Sequence, residues 1–338
     1  MLKNDLVLAD PLQETALPLF ATKLNINHFS PTQGSICDGA WIYKYLVLTQ
    51  EQRRLLPSSA SMQAGVAVNN IIQKNLADTI WKFGPNKKLT PTINHKLKKE
   101  FAIREEISSY KDYVPTDEKD LSKKEKYLNE IVDVANNVFL ALKEIGVANL
   151  FTICEEQVSI TAATGSPCLL PIVGRTDFVF GKNSDGSSTP FSPSLILELK
   201  TQWSKLGKIK KDGDRSFLSV KSPTTPNFNH LMQCAFYAAH YNYAVPVKLL
   251  YCNATDFKIF DSSNCDALTV EGLKRNFENL CKIFRRREKL LSMFEELNKP
   301  EIIENVVEMV DPNFDHPFAW HNLGEEYTRH AKELWKVI

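Results

Sequence analysis

Glu198 and Lys200 stand two positions apart at the end of the apolar run LILELKT, and Asp177 ends the apolar approach PIVGRTD of the segment before it. In an extended chain, residues two apart lie about 6.6 Å from each other on one face, and a neighbouring strand brings another side chain within about 5.5 Å of that face. Unpaired charge is costly on a buried strand, so these three side chains must answer one another or a ligand. Two converging carboxylates repel unless a divalent cation neutralises them, and an all-oxygen donor set suits Mg²⁺ or Mn²⁺. A lysine on that face would hold or deprotonate a water and stabilise charge developing on a phosphate. The plainer alternative is a cross-strand ion-pair cluster at a sheet end.

Spacing alone does not select this pair. An acid, any residue and a lysine also occur at Asp117 to Lys119, in the polar stretch VPTDEKD, and at Asp256 to Lys258, after the turn-like NATD. The elements around Glu198 and Lys200 set them apart. A period of two marks strands over FTICEEQVSI (151–160), PIVGRTDFVF (171–180) and SLILELKT (194–201), joined by Gly-, Ser- and Pro-rich turns. Helical spacing returns over NHLMQCAFYAAHYNYA (229–244), followed by the short strands VKLLYC and FKIF, a long helix over about 270–297 and a terminal helix in EEYTRHAKELWKVI.

Upstream, Ser30-Pro31 opens a short helix with Trp41, Ile42, Tyr45 and Leu46 on its apolar face, and a second helix runs from about Ser61 to Trp81 with Val66, Ile72, Leu76 and Ile80 at helical spacing. Ser122-Lys-Lys-Glu125 reads as a capping box for a helix through Tyr127, Ile131, Val134, Val138, Ala141, Leu142 and Ile145, stopped by Gly146. Residues 84–121 are charged and short of large apolar side chains, which predicts a solvent-facing insertion or lid; residues 204–227 read as a basic loop. The sum is an α/β arrangement, a small mostly antiparallel or mixed central sheet flanked by helices. A helical N-terminal region (1–150), a core (151–262) and a C-terminal helical region (263–338) are expected to form one integrated domain.

Composition bounds the reading. With 338 residues, 43% apolar and 24% charged, the chain belongs with soluble globular proteins, and a net charge of +1 excludes a globally basic one. Nucleic-acid binding would then have to come from local patches. Seven cysteines, at 37, 154, 168, 234, 252, 265 and 281, form no CxxC pair and read as free thiols of a reducing compartment. The segment MLKNDLVLADPLQETALPLF has no uninterrupted apolar h-region and no stretch approaches a membrane span, so a cytoplasmic location is expected, the host cytoplasm if the chain is viral, with no membrane partner. The histidines show no HExxH or other paired zinc spacing.

GRTDFVF followed by LILELKT resembles the Asp and Glu-x-Lys core of the PD-(D/E)XK nuclease superfamily, with Thr176 where the family name puts proline. The resemblance extends to the RecB-like exonuclease branch. There a helix carrying Gln-x-x-x-Tyr follows the Glu-x-Lys strand, as in Gln233-Cys-Ala-Phe-Tyr237, and an acidic strand precedes it, as in ICEEQVSI with Glu156. An opening Ser-Pro helix with an aromatic-rich end matches SPTQGSICDGAWIYKY, so the motifs span about residues 26–241. The resemblance implies a restriction-endonuclease-like core and a metal-dependent DNA exonuclease of recombination, repair or phage DNA processing, with DNA as partner and a recombination or replication protein as a possible second one. It implies metal ligation by Asp177, Glu198 and the backbone carbonyl of Leu199, with Glu156 completing the shell. Glu156 is taken to share the core face of Cys154, Val158 and Ile160, although Glu155 beside it could equally point inward.

Lys200 would act as base or as charge stabiliser, and Gln233 and Tyr237 would support it or the scissile phosphate. Two departures from the branch stand out. Where its Gly-x-x-x-His helix puts a histidine ligand, this chain has Gly65-Val-Ala-Val-Asn69, and Asn69 offers a carbonyl oxygen instead. Relatives that hold an iron-sulfur cluster use one upstream and three C-terminal cysteines; Cys37 stands near the upstream position, but the last cysteine is Cys281, so no cluster is expected. The loop WSKLGKIKKDGDRSFLSVK holds Lys205, Lys208, Lys210, Lys211, Arg215 and Lys221 against Asp212 and Asp214, which is either a solvated face or a contact to the DNA backbone. Arg285, Arg286 and Arg287 are a second candidate for such a contact. Rival readings are a non-catalytic DNA-binding or scaffold protein with a degenerate metal site, and a structure-specific endonuclease.

Overall fold

The computed structural model describes residues 17–81, 95–147, 150–182, 191–209, 215–316, 319–320 and 323–337. In chain order the helices are α1 (Leu19–Leu24), α2 (Asp38–Ile42), α3 (Gln50–Arg54), α4 (Ala60–Trp81), α5 (His95–Asp112), α6 (Glu118–Ile145), α7 (Phe228–His240), α8 (Val270–Ser292), α9 (Lys299–Met309) and α10 (Glu325–Leu334). The strands are β1 (Phe151–Cys154), β2 (Gln157–Ile160), β3 (Ile172–Arg175), β4 (Phe178–Lys182), β5 (Ser192–Thr201), β6 (Lys205–Ile209), β7 (Arg215–Leu218), β8 (Val247–Cys252) and β9 (Phe257–Phe260). The chain forms two compact units, each from non-contiguous segments: residues 57–156 with 175–275, and residues 1–56 with 157–174 and 276–338. Among the described residues no helix is long and apolar enough to cross a membrane.

The first unit is built on a five-stranded mixed sheet of order β1-β4-β5-β8-β9. β1, β4 and β5 pair antiparallel, β5 and β8 parallel, and β8 and β9 antiparallel. β5 is central, and Leu195, Ile196, Leu197, Glu198 and Leu199 along it are all buried. Strand alternation divides its side chains. Leu195, Leu197 and Leu199 pack with Val68, Ile71 and Ile72 of α4 and Ile131, Val134 and Val138 of α6, whereas α7 packs on β5 and β8. Helices therefore cover both faces, and the charged pair Glu198 and Lys200 falls on the face opposite the leucines.

Several elements depart from the sequence reading. FTICEEQVSI is not one strand: Glu155 takes a left-handed conformation (φ 55°), and β2 beyond it pairs with β3 in a separate two-stranded sheet. PIVGRTDFVF likewise breaks at Thr176-Asp177, between β3 and β4. The segment read as an insertion or lid contains α5, whose Ala102 and Tyr110 are buried and whose Ile103 and Ile107 pack on the sheet core; residues 84–94 of it lie outside the described residues. Val66, expected on the apolar face of α4, is 52% exposed, while Ile72 is buried.

α6 begins before Ser122, with Asp117 as its cap through the Asp120 N–H, and the Ser122 hydroxyl donates instead to the Glu118 carbonyl. Gly146 does end it in the left-handed region (φ 85°). The basic loop holds the antiparallel pair β6 and β7. α9 was not anticipated, although Asn298 and Glu301 form a capping box before it, a signal present in the sequence.

α4 carries one wall of the candidate site, and its first turn is held from α6. The buried Asp120 accepts the Ala60 N–H at 2.9 Å, the Thr116 N–H at 3.2 Å and the Tyr113 hydroxyl at 2.5 Å. It thus does for α4 what a capping side chain does locally. Asp120→Ala is expected to lower stability by about 2 kcal/mol, since a cap and the half-buried Tyr113 hydroxyl lose their partner together; a urea midpoint unchanged from wild type would contradict this role.

In the second unit, Ala40, Tyr43, Leu48, Trp320, Leu323 and Ala331 form a core in which the Tyr43 hydroxyl lies 2.8 Å from Nδ1 of His330. Ser30-Pro31 opens a 3₁₀ turn (Pro31–Ser35) followed by α2 and a π turn (Tyr43–Val47), with Trp41, Ile42 and Leu46 buried as expected. The arginine run on α8 is not a free basic patch. Arg287 is only 1% exposed. Its guanidinium donates to Asp38 Oδ1 at 3.0 Å and to the carbonyls of Gln33 and Ile36 at 3.0 and 2.6 Å, and sits 4.8 Å from the Trp41 ring. Arg286 pairs with the other Asp38 oxygen at 2.6 Å.

Candidate active site

β4 pairs with β5 only from Phe178 opposite Leu197, so beyond Leu197 that edge of β5 has no ladder partner from β4. Asp177 occupies the vacated place: its Oδ2 accepts the Leu199 N–H at 2.8 Å. The N–H and C=O of one strand residue leave on the same side, so the Leu199 carbonyl also faces this edge. On the face of β5 towards α7, Lys200 Nζ lies 2.6 Å from Glu198 Oε1. Glu198 Oε2 is buried and has no hydrogen-bond partner among the described residues.

Asn69, Asp177, Leu199 and Lys200 line one open cleft of about 270 Å³ together with Ser61, Met62, Gly65, Val66 and Thr201. Gly65 lets α4 come close to β5, since a Cβ there would stand 3.1 Å from the Thr201 hydroxyl. Asn69 Nδ2 donates to Glu155 Oε1 at 3.2 Å, and Gln73 Nε2 donates to the same oxygen at 2.8 Å. A carboxylate only accepts, so the Asn69 amide must turn its nitrogen to Glu155. Its Oδ1 is thereby left buried and without a partner among the described residues.

Electrostatics follow from this crowding. Burial first, and the Glu198 charge second, raise the Asp177 pKa well above the usual carboxylate value, against the pull of Lys200 and the Leu199 N–H. Burial pushes Lys200 down, but Glu198 and Asp177 together outweigh it and hold its pKa above the ordinary lysine value. Lys200 is therefore an ammonium in this arrangement and acts as a charge partner. Burial, Glu198 and Asp177 raise the Tyr237 phenol, and burial with Glu198 raises the Cys234 thiol beside them.

The other expected site residues divide. Tyr237 on α7 donates its hydroxyl to the Arg175 carbonyl at 2.6 Å, two residues before Asp177, and so holds the turn that presents the aspartate. Gln233 is buried and its Oε1 has no partner among the described residues. Glu156 does not join the group, because the turn at Glu155 breaks the alternation that would have aimed it inward. It accepts the Tyr241 hydroxyl at 2.5 Å instead, and of these two neighbours it is Glu155 whose charge bears on Asp177, less than that of Glu198. Lys205, Lys208 and Lys221 are exposed and Arg215 is half-buried; Lys210 and Lys211 lie outside the described residues. Nothing in the sequence marked Glu155 over Glu156, whereas Cys234 and His230 were readable as neighbours of Gln233 and Tyr237 on one helix face.

Among the described residues no group of three or more His, Cys, Asp or Glu side chains gathers as a metal-holding cluster. The available donors are two carboxylates, Asp177 and Glu198, with neutral oxygens from Asn69 and the Leu199 backbone. Two of these, Glu198 Oε2 and Asn69 Oδ1, are buried without partners among the described residues, which is costly unless something answers them. An all-oxygen set of this kind suits Mg²⁺ or Mn²⁺. Comparison with family models, with curated proteins and with solved structures finds no match.

Proposed function

We propose that this protein is a Mg²⁺- or Mn²⁺-dependent deoxyribonuclease with a restriction-endonuclease-like core, of the RecB-like kind, acting as an exonuclease in recombination, repair or phage DNA processing. The observation that carries the reading is the meeting of Asp177, Glu198 and Lys200 at the end of β5, with buried acceptor oxygens of Glu198 and Asn69 left unanswered. Asp177, Glu198, the Leu199 carbonyl and Asn69 Oδ1 would hold the cation. When bound, it would lower the pKa of a coordinated water and polarise the phosphoryl oxygens.

The chain's own residues supply the rest. Lys200, held by Glu198, offers its ammonium to the charge that develops on the phosphate. Tyr237 fixes the Arg175 turn, so Asp177 keeps its place against the Leu199 N–H. Lys205, Lys208 and Lys221, exposed on and after the strand pair that follows β5, suit sequence-independent contacts to the DNA backbone.

End-labelled linear DNA and covalently closed circular DNA, each incubated with Mg²⁺ or with EDTA, test the reading. Shortening of the linear substrate from its ends with Mg²⁺ alone, and no cutting of circles, is the expected result. Absence of metal-dependent cleavage on both would leave the reading without support, and cutting of circles would replace exonuclease with endonuclease.

A further inference from the structure

α7 brings four side chains along one face at helical spacing: His230, then Gln233 and Cys234 a turn later, then Tyr237. That face runs along the charged end of β5, since Cys234 and Tyr237 both feel Glu198 and Asp177. At the other end His230 is pushed down to about 4 by burial and by the Lys200 ammonium. His230 therefore stands on the Lys200 side of the site. Tyr251, the parallel neighbour of Lys200 across β5 and β8, packs against it with ring centroids 5.6 Å apart.

The hydrogen bonds of Tyr251 favour one tautomer of His230. The phenol oxygen accepts the Asn227 N–H at 2.9 Å and lies 2.7 Å from His230 Nδ1. Among the described residues, the one acceptor within reach of the Tyr251 proton is that Nδ1. Nδ1 is then the bare nitrogen and Nε2 carries the hydrogen. No hydrogen bond from Nε2 to another described residue is present. A neutral donor here adds a hydrogen bond without a second positive charge beside Lys200, where a protonated imidazole would repel both the ammonium and a bound cation.

We propose that His230 is a further substrate-contacting residue, its Nε2–H donating to an oxygen of the DNA phosphate held next to Lys200. The proposal rests on the nuclease reading above for its substrate. Phosphate oxygens take a large share of the hydrogen bonds that proteins make to DNA, and they are read without regard to sequence. The backbone of Asn227 and the phenol of Tyr251 orient the ring, so the donor is in place before DNA arrives.

The test uses the full chain and linear fluorescein-labelled DNA, with initial cleavage rates in Mg²⁺ and fluorescence anisotropy in Ca²⁺. Glutamine puts its amide N–H where imidazole Nε2 lies, and asparagine puts it where Nδ1 lies. His230→Asn is expected to raise KM for DNA and weaken binding about tenfold, the loss of one hydrogen bond to a charged group, while His230→Gln stays within about threefold of wild type. His230→Ala is a second variant without the donor, so misfolding of one, seen in its melting curve, leaves the comparison intact. Equal behaviour of the Gln and Asn variants, or an unchanged Asn variant, would overturn the contact. If wild type binds DNA without cleaving it, the nuclease reading fails alone, and the same variants in anisotropy still decide His230: weakening by Asn with rescue by Gln supports it. Wild type that binds no DNA overturns both.

Discussion

Under the proposed function, Lys200→Ala is expected to lower metal-dependent DNA cleavage by about 10²- to 10³-fold, the cost of removing one group that stabilises developing charge. The same substitution has a second, independent readout. Lys200 Nζ is the partner of Glu198 Oε1, and the Glu198 side chain is 3% exposed. Removing the ammonium leaves a buried carboxylate with neither oxygen answered, which is expected to cost about 2–3 kcal/mol in the absence of metal. A divalent cation that binds the folded chain alone stabilises it in proportion to the logarithm of its concentration over Kd.

Mg²⁺ should therefore raise the melting temperature of Lys200→Ala by more than it raises that of wild type, because in wild type the ammonium competes for Glu198. The two measurements separate two ideas. Full cleavage by the variant would remove Lys200 from the chemistry. An equal Mg²⁺ shift in variant and wild type would remove Glu198 from the metal site even if cleavage is lost. Glu198→Gln provides the complementary case: it keeps the volume, removes the charge, and is expected to abolish the Mg²⁺-induced shift.

Arg287→Met is expected to destabilise the unit it belongs to by about 3–5 kcal/mol, although methionine nearly matches the volume of the arginine stem. Three acceptors depend on the guanidinium: Asp38 Oδ1 and the carbonyls of Gln33 and Ile36. A buried ion pair replaced as a whole by apolar residues can be neutral, but removing one member strands the others. Arg286 supplies the contrast, since its side chain is 66% exposed although it pairs with the same aspartate at 2.6 Å. Arg286→Ala is expected to cost no more than about 1 kcal/mol. Arg287→Lys should recover only part of the loss, because a single ammonium cannot meet three acceptors in a planar fork. Denaturant midpoints for the three variants decide the matter, and equal effects of Arg286→Ala and Arg287→Met would show that burial is not what makes Arg287 matter.

The candidate site was legible where a short-range pattern carried it. LILELKT announced a buried strand by composition and placed Glu198 and Lys200 on one face by its period of two. The spacing of Gln233 and Tyr237 placed them on one face of a helix, and Gly146 marked the end of α6. What failed was pattern continued through a break. Alternation continued through 151–160 puts Glu156 on the core face, and one left-handed residue, Glu155, cancels it at that point. The segment over α5 looked like an exposed insertion because its apolar residues are few, yet Ala102 and Tyr110 bury themselves against the sheet unit's core.

The arginines of α8 show the same limit. As sequence, Arg285, Arg286 and Arg287 are three equal cations; as structure, one of them is interior and held by a segment some 250 positions earlier in the chain. Local geometry, the rise of a strand and the turn of a helix, is dictated by neighbours within a few residues, and this chain's sequence determined the central strand β5, the helices α4, α6, α7 and α8, and the placing of Glu198 and Lys200 on one face of that strand. Which acid faces Asp177, which arginine is buried, how two units interleave along one chain and which way the His230 ring is turned depend on contacts between distant segments. Only the tertiary structure decided those, because burial and hydrogen-bond partners exist only once the segments have met.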